Sequence, residues 1–138
     1  MKKCSSIDTD DILYRIISEG VRAGNIEISG VVCVQDERPD DSETEDIVIN
    51  TITVTHGKPQ SGTSNVNIYV SDRKVKIRGR EQRKAYRERL REIGDAVVAY
   101  LEAQNIADLE FWIENDTVIK EQQVKQHYRN LRIGWNIH

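Results

Sequence analysis

The chain carries little equipment for covalent or redox chemistry. Its two cysteines, Cys4 and Cys33, have no CxxC partner and no histidine at ligand spacing. That pattern argues against a disulfide framework and fits a reducing compartment. Cys33 stands among Val31, Val32 and Val34 and reads as a small buried hydrophobe, while Cys4 falls in a tail, residues 1–7, expected to be flexible. Three histidines, His56, His127 and His138, form neither an HxH nor an HExxH pair, so no metal site is expected. GxSxG, GxGxxG and P-loop motifs are also missing. No catalytic residue and no cofactor is therefore assigned, and the chain is not expected to be an enzyme.

Long apolar runs are missing too. None approaches a membrane span, and no apolar segment follows the basic start "MKKCSS". The expectation is a protein that is cytoplasmic where it is made, with no membrane partner. Aromatic residues are sparse, with one Phe, two Trp and five Tyr. No RNP, KH or zinc-finger signature accompanies them.

What remains is charge and alternation. The 138 residues make one domain, 1–138, long enough to bury roughly two-thirds of the unfolded surface. Charged residues reach 31% and hydrophobic ones only 38%, which predicts large wetted faces or polar loops. A net charge of −3 is unlike that of a dedicated nucleic-acid binder, so any such activity is local.

Hydrophobic periodicity outlines the elements. "IDTDDILYRIISEGVRAG" predicts a first helix, with Asp8 or Thr9 as cap, an apolar stripe of Ile12, Leu13, Ile16, Ile17 and Val21, and a stop at Gly24–Asn25. "IEISGVVCV", Ile26–Val34, predicts a strand with a bulge at Gly30. "IVINTITV", Ile47–Val54, predicts a buried central strand, and "NVNIYV", Asn65–Val70, one with a single covered face. The Gly- and Pro-containing segment between them reads as a hairpin-type loop. Val75 and Ile77 extend the sheet further. A long helix is predicted from Arg80 to about Gln104, because Tyr86, Leu90, Ile93, Val97 and Leu101 share one stripe. Gly94 inside it marks a close helix-on-sheet contact.

Two or three strands close the chain. "LEFWIEN" turns at Asn115–Asp116 into "TVIKEQQ", and "HYRNLRIGWNI" alternates Leu131, Ile133, Trp135 and Ile137 against Tyr128, Asn130, Arg132 and Asn136. The order α-β-β-β-α-β-β-β predicts an α+β, two-layer sandwich, with a mainly antiparallel sheet covered on one face by two helices.

Two charge clusters stand out. Residues 35–46, "QDERPDDSETED", hold seven acids: Asp36, Glu37, Asp40, Asp41, Glu43, Glu45 and Asp46. The segment lacks the spacing of a calcium loop and reads as an exposed acidic loop. Arg73–Arg91 contains ten of the twenty Lys and Arg residues. On a helix, Arg80, Arg83, Lys84, Arg87 and Arg91 fall on one side, with Arg89 apart from them. Unlike patches of this kind can meet within one molecule or between neighbours. Between neighbours the contact is heterologous, and repeating it makes a ring when the rotation closes.

This organisation resembles the small tail-terminator or tail-completion proteins of long-tailed bacteriophages and prophages. The resemblance rests on the order of "DDILYRIISEGV", "VVCVQDERPDDSETED", "IVINTITV", "NVNIYV", "KAYRERLREIGDAVVAYL" and "NLRIGWNI" across nearly the whole chain. It implies a ring-forming homo-oligomer, often a hexamer, that caps the tail tube and contacts other tail or head–tail connector proteins. It implies no enzymatic activity, and a location in the bacterial cytoplasm and then the virion. The acidic loop and the basic helix face would be the contact surfaces. The basic helix start departs from the family's organisation. The alternative is a nucleic-acid-binding accessory protein that uses the basic segment 73–91, including Arg73, Lys74, Lys76 and Arg78.

Overall fold

The computed structural model describes residues 3–138. Helix α1 (Ser6–Arg22) leads into strands β1 (Val32–Val34), β2 (Ile47–Val54) and β3 (Gln60–Ser71). A short ribbon follows, made of β4 (Arg73–Ile77) and β5 (Arg80–Lys84), and then helix α2 (Arg87–Glu102). Strands β6 (Leu109–Glu121) and β7 (Gln126–Ile137) close the fold. The main sheet runs β1-β2-β3-β7-β6, antiparallel except for the β1–β2 pair. The helices pack on one face of it, so the α+β sandwich is the fold of this chain.

Alternation builds the core. Val66, Ile68 and Val70 of β3, Leu131, Ile133, Trp135 and Ile137 of β7, and Ile47 and Ile49 of β2 turn toward the helices. Leu13, Ile16 and Ile17 of α1 and Leu90, Ile93, Val97 and Leu101 of α2 meet them. Trp135 is fully buried, and its indole N–H donates to Ser64 Oγ at 2.8 Å, which satisfies its one polar atom. The opposite face is more polar and is partly covered by the segment after β1, since Arg38 stacks on Tyr69 and both Cys33 and Val48 are buried there; on it Asn130 Nδ2 donates to both Asn65 and Asn67.

Several boundaries differ from the sequence reading. The cap of α1 is Ser5, not Asp8 or Thr9; Ser5 and Asp8 form a reciprocal capping box. Cys4, expected in a flexible tail, is buried, and Gln60 bonds both its N–H and its carbonyl. The tail expectation for Met1 and Lys2 falls outside the described residues. β1 keeps only Val32–Val34 of the predicted strand, and Gly30 lies in the bend ahead of it rather than at a bulge. β2 is an interior strand between β1 and β3, with its first half buried on both faces as expected, but its second half is largely exposed. Asn115–Asp116 is no turn, because β6 runs through it with only a shift of register between Ile113 and Asn115.

The largest difference concerns the long helix. Residues 80–84 are strand, not helix, and Ile77 pairs with Arg80 across the two-residue turn Arg78–Gly79. Both turn residues have positive φ, 53° and 75°, the geometry of a right-twisting two-residue hairpin. The order is therefore α-β-β-β-β-β-α-β-β. Tyr86 does not join the apolar stripe; it precedes the first turn of α2 and is exposed.

Gly94 does mark a close helix-on-sheet contact. A Cβ there would lie 2.5 Å from Arg129 Cδ and 2.7 Å from its Cζ. Helix propensity alone favours Gly94→Ala by about 1 kcal/mol. Overlap with a guanidinium held on three sides reverses that sign, and a net loss of about 1–3 kcal/mol is expected. Urea denaturation of the variant checks it; a gain in stability would show that Arg129 moves aside freely.

Candidate functional site

The acidic loop and the basic segment do meet, but through residues other than those the helical projection selected. Glu45 receives a two-pronged bond from Arg89, Nε to Oε2 at 2.5 Å and Nη2 to Oε1 at 2.7 Å. The same guanidinium donates to the Glu27 carbonyl and to Glu92. Arg89, set apart in the helical projection, is thus the residue that ties α2 to the loop. Its hydrogen bonds hold the Glu45 carboxyl below its ordinary range, against a smaller opposing effect of burial.

Asp46 was expected on an exposed loop, yet its side chain is only 1% exposed. Burial alone would push its carboxyl up, but the bonds it accepts outweigh this and hold it down. Ser42 Oγ donates at 2.5 Å, Thr44 Oγ1 at 2.8 Å, and Val31 N–H and Arg38 Nε at 2.9 Å each. Gly30 makes room for this cluster, since a Cβ there would overlap the Asp46 carboxylate and lie 2.7 Å from both the Glu45 carbonyl and Thr44 Oγ1. These bonds explain the shortened β1: the amides of residues 29–31 are taken by Glu45 and Asp46 instead of a neighbouring strand. Arg38, which the sequence did not single out, also stacks on Tyr69 at 3.9 Å and donates to Gln126 Oε1 at 3.0 Å.

The remaining acids of the loop behave differently. Asp36, Glu37, Asp40, Asp41 and Glu43 form no side-chain ion pair among the described residues and are all exposed. Of the five bases assigned to one helix face, Arg80, Arg83 and Lys84 project from the β4–β5 ribbon, and only Arg87 and Arg91 belong to α2. None of the five has an ion-pair partner among the described residues. Arg73 and Lys74 pair only weakly with Glu88 and Glu81, at 3.4 and 3.7 Å.

The ribbon is an unusual object. It forms a sheet of its own, and from Arg73 to Lys84 it carries seven bases against one acid, Glu81. Its register sets Arg73 opposite Lys84 and Lys74 opposite Arg83, pairings that repel. An isolated two-stranded ribbon is marginal even without such repulsion. At its root, His127 Nδ1 lies 2.6 Å from Asp72 Oδ1, and the Asp72 N–H donates to the Lys125 carbonyl.

Beside it, Arg87 and Arg91 line a cleft of about 300 Å³ between α2 and β6, with Leu90 and Val118 as apolar walls. Arg129 closes the cleft and is neutralised on both sides, by Asp116 at 2.6 Å and Asp95 at 2.9 Å. The Arg129 bonds hold the Asp116 carboxyl below its usual range. Among the described residues, no cluster of three or more His, Cys, Asp or Glu is arranged to hold a metal ion, and no helix is long and apolar enough to cross a membrane. No protein-family model matches the chain, and no curated protein does.

The carboxylates set a pH dependence. Glu45, Asp46 and Asp116 titrate lower in the folded protein than in the unfolded chain. Their contribution is complete above the ordinary carboxylate range and is lost as pH falls from about 4 through their folded values. Denaturant unfolding between neutral pH and pH 3 should show stability falling over that window. Arg89→Ala should cost about 1–3 kcal/mol at neutral pH, by leaving Glu45 without its donor, and should reduce the acid-induced loss. A variant as stable as the parent would show that the Arg89–Glu45 bond does not hold the loop.

Proposed function

We propose that the chain is a structural assembly subunit, of the kind that terminates the tails of long-tailed phages and prophages, and that it joins copies of itself into a ring. One observation supports this above all: two surfaces of opposite charge lack ion-pair partners among the described residues. Asp36, Glu37, Asp40, Asp41 and Glu43 form one, and Arg80, Arg83, Lys84, Arg87 and Arg91 the other. Glu45 and Asp46 leave the acidic set, because they are spent inside the fold. The surfaces are different patches of one molecule, so their contact is head-to-tail and closes as a ring or runs on as a filament. Screening beyond about 8 Å at physiological salt limits the charges to steering and orientation. In this reading the subunit assembles in the bacterial cytoplasm, meets tail or head–tail connector proteins, and travels in the virion.

The ribbon also favours a second reading. Seven bases on a protruding β-ribbon suit a nucleic-acid groove or backbone. Salt separates the two: phosphate binding weakens steeply, by counterion release, in proportion to the phosphates contacted.

Arg83→Glu with Arg87→Glu tests the assembly reading. Both side chains are exposed and unpaired among the described residues, so the fold and its thermal midpoint should stay unchanged. Light-scattering chromatography at low and high salt should find a parent mass that grows with concentration and shrinks with salt, and a double variant shifted toward monomer. A double variant that assembles like the parent would sink the charge contact.

A further inference from the structure

The ribbon's seat on a neighbouring copy can be named more closely, and this rests on the assembly reading above. We infer that the β4–β5 ribbon of one copy adds to the free edge of β6 in the next, continuing the sheet from subunit to subunit. β6 is the outermost strand of the main sheet and thirteen residues long. Among the described residues its outer edge meets only a single bridge, between Ile106 and Leu109. A free edge of that length is a standing template for another strand. The ribbon likewise has both of its own edges unpaired.

Charge selects which edges can meet. β6 carries Glu110, Glu114, Asp116 and Glu121 against a single base, Lys120. Asp116 remains bonded to Arg129, and Glu110 faces His138, but Glu114 has no partner among the described residues. Two β6 edges brought together would set acid beside acid, and two ribbons would set base beside base. Ribbon on β6 is the combination that both signs favour. The symmetric alternatives are therefore disfavoured, and the surviving contact is the head-to-tail one that propagates.

Apolar contact adds to it. One face of the ribbon presents Val75 and Ile77, and β6 exposes Trp112 on one side and Val118 beside the cleft on the other. Main-chain hydrogen bonds would supply what screened charges cannot, and alternate side chains would fix register. Carboxylates beside Arg73 and Lys84, or beside Lys74 and Arg83, would also relieve the repulsion built into the ribbon's own pairing. Arg87 and Arg91 remain for the acidic loop, so each copy would offer two basic surfaces to two acidic ones.

Amide hydrogen exchange on the unmodified protein tests this. Exchange is compared between a concentrated low-salt sample and a dilute high-salt one, with the mass of each measured alongside. The expected result is that amides in 109–121 and in 73–84 slow together, by about tenfold or more, as the mass rises. Slowing in 73–84 and 36–43 with β6 unchanged would overturn the inference while leaving assembly in place, since the ribbon would then sit on the acidic loop. A monomeric mass with no slowing at any concentration would sink both. Slowing of the ribbon only after a DNA duplex is added would overturn the inference and give the ribbon to nucleic acid.

Discussion

A buried carboxylate organises the most irregular stretch of this molecule, between α1 and β2. Asp46 gathers donors from Val31, Arg38, Ser42 and Thr44, and so folds the twelve residues 35–46 back on their own ends. A charge this well buried is tolerable only because its lone pairs are satisfied. Gly30 permits the approach, Arg38 carries the connection to Tyr69 and Gln126, and Glu45 one residue earlier reaches α2 through Arg89. The loop, the β1–β2 junction, the central strands and the second helix are thereby locked to one another by side chains that a composition count would assign to solvent.

That knot also sorts the charges of the protein. Acids and bases with a structural task pair with each other: Arg38 with Asp46 and Arg89 with Glu45 largely inside, and Arg129 between the exposed Asp95 and Asp116. Among those left over, two groups stand apart by sign, Asp36, Glu37, Asp40, Asp41 and Glu43 on the loop, and Arg80, Arg83, Lys84, Arg87 and Arg91 on the ribbon and the first turns of α2. Separation of unlike charge on a chain of net charge −3 is a surface property that the total conceals. Such a separation orients the approach of any charged partner before contact forms.

The layered fold was legible because burial imposes a period. Val66, Ile68 and Val70, the β7 alternation, and the α1 and α2 stripes from Leu13 to Ile17 and Leu90 to Leu101 all face the core as their spacing required. What was not legible depended on single residues. Arg, Glu, Gln and Lys are good helix formers, so 80–84 read as helix; a turn at Arg78–Gly79, without the usual Asn-Gly signal, overrode that propensity. A charged loop reads as solvated until the backbone brings Gly30 under Asp46, which no local pattern announces. The helical projection likewise grouped five bases that the fold divides between a ribbon and a helix, and it set aside Arg89, the one that binds the loop.

The strand order has a consequence for how the molecule is made. β7, the last element, lies between β3 and β6, and Ile137 pairs with both Gln60 and Leu109. During synthesis the growing chain therefore holds two halves of a sheet that cannot join until residues 126–137 have left the ribosome. Until then the inner edges of both β3 and β6 stand open, alongside the outer edge that β6 keeps afterwards. The wait is uneven: β3 keeps its inner edge open while residues 72–125 are made, whereas only four residues separate β6 from β7.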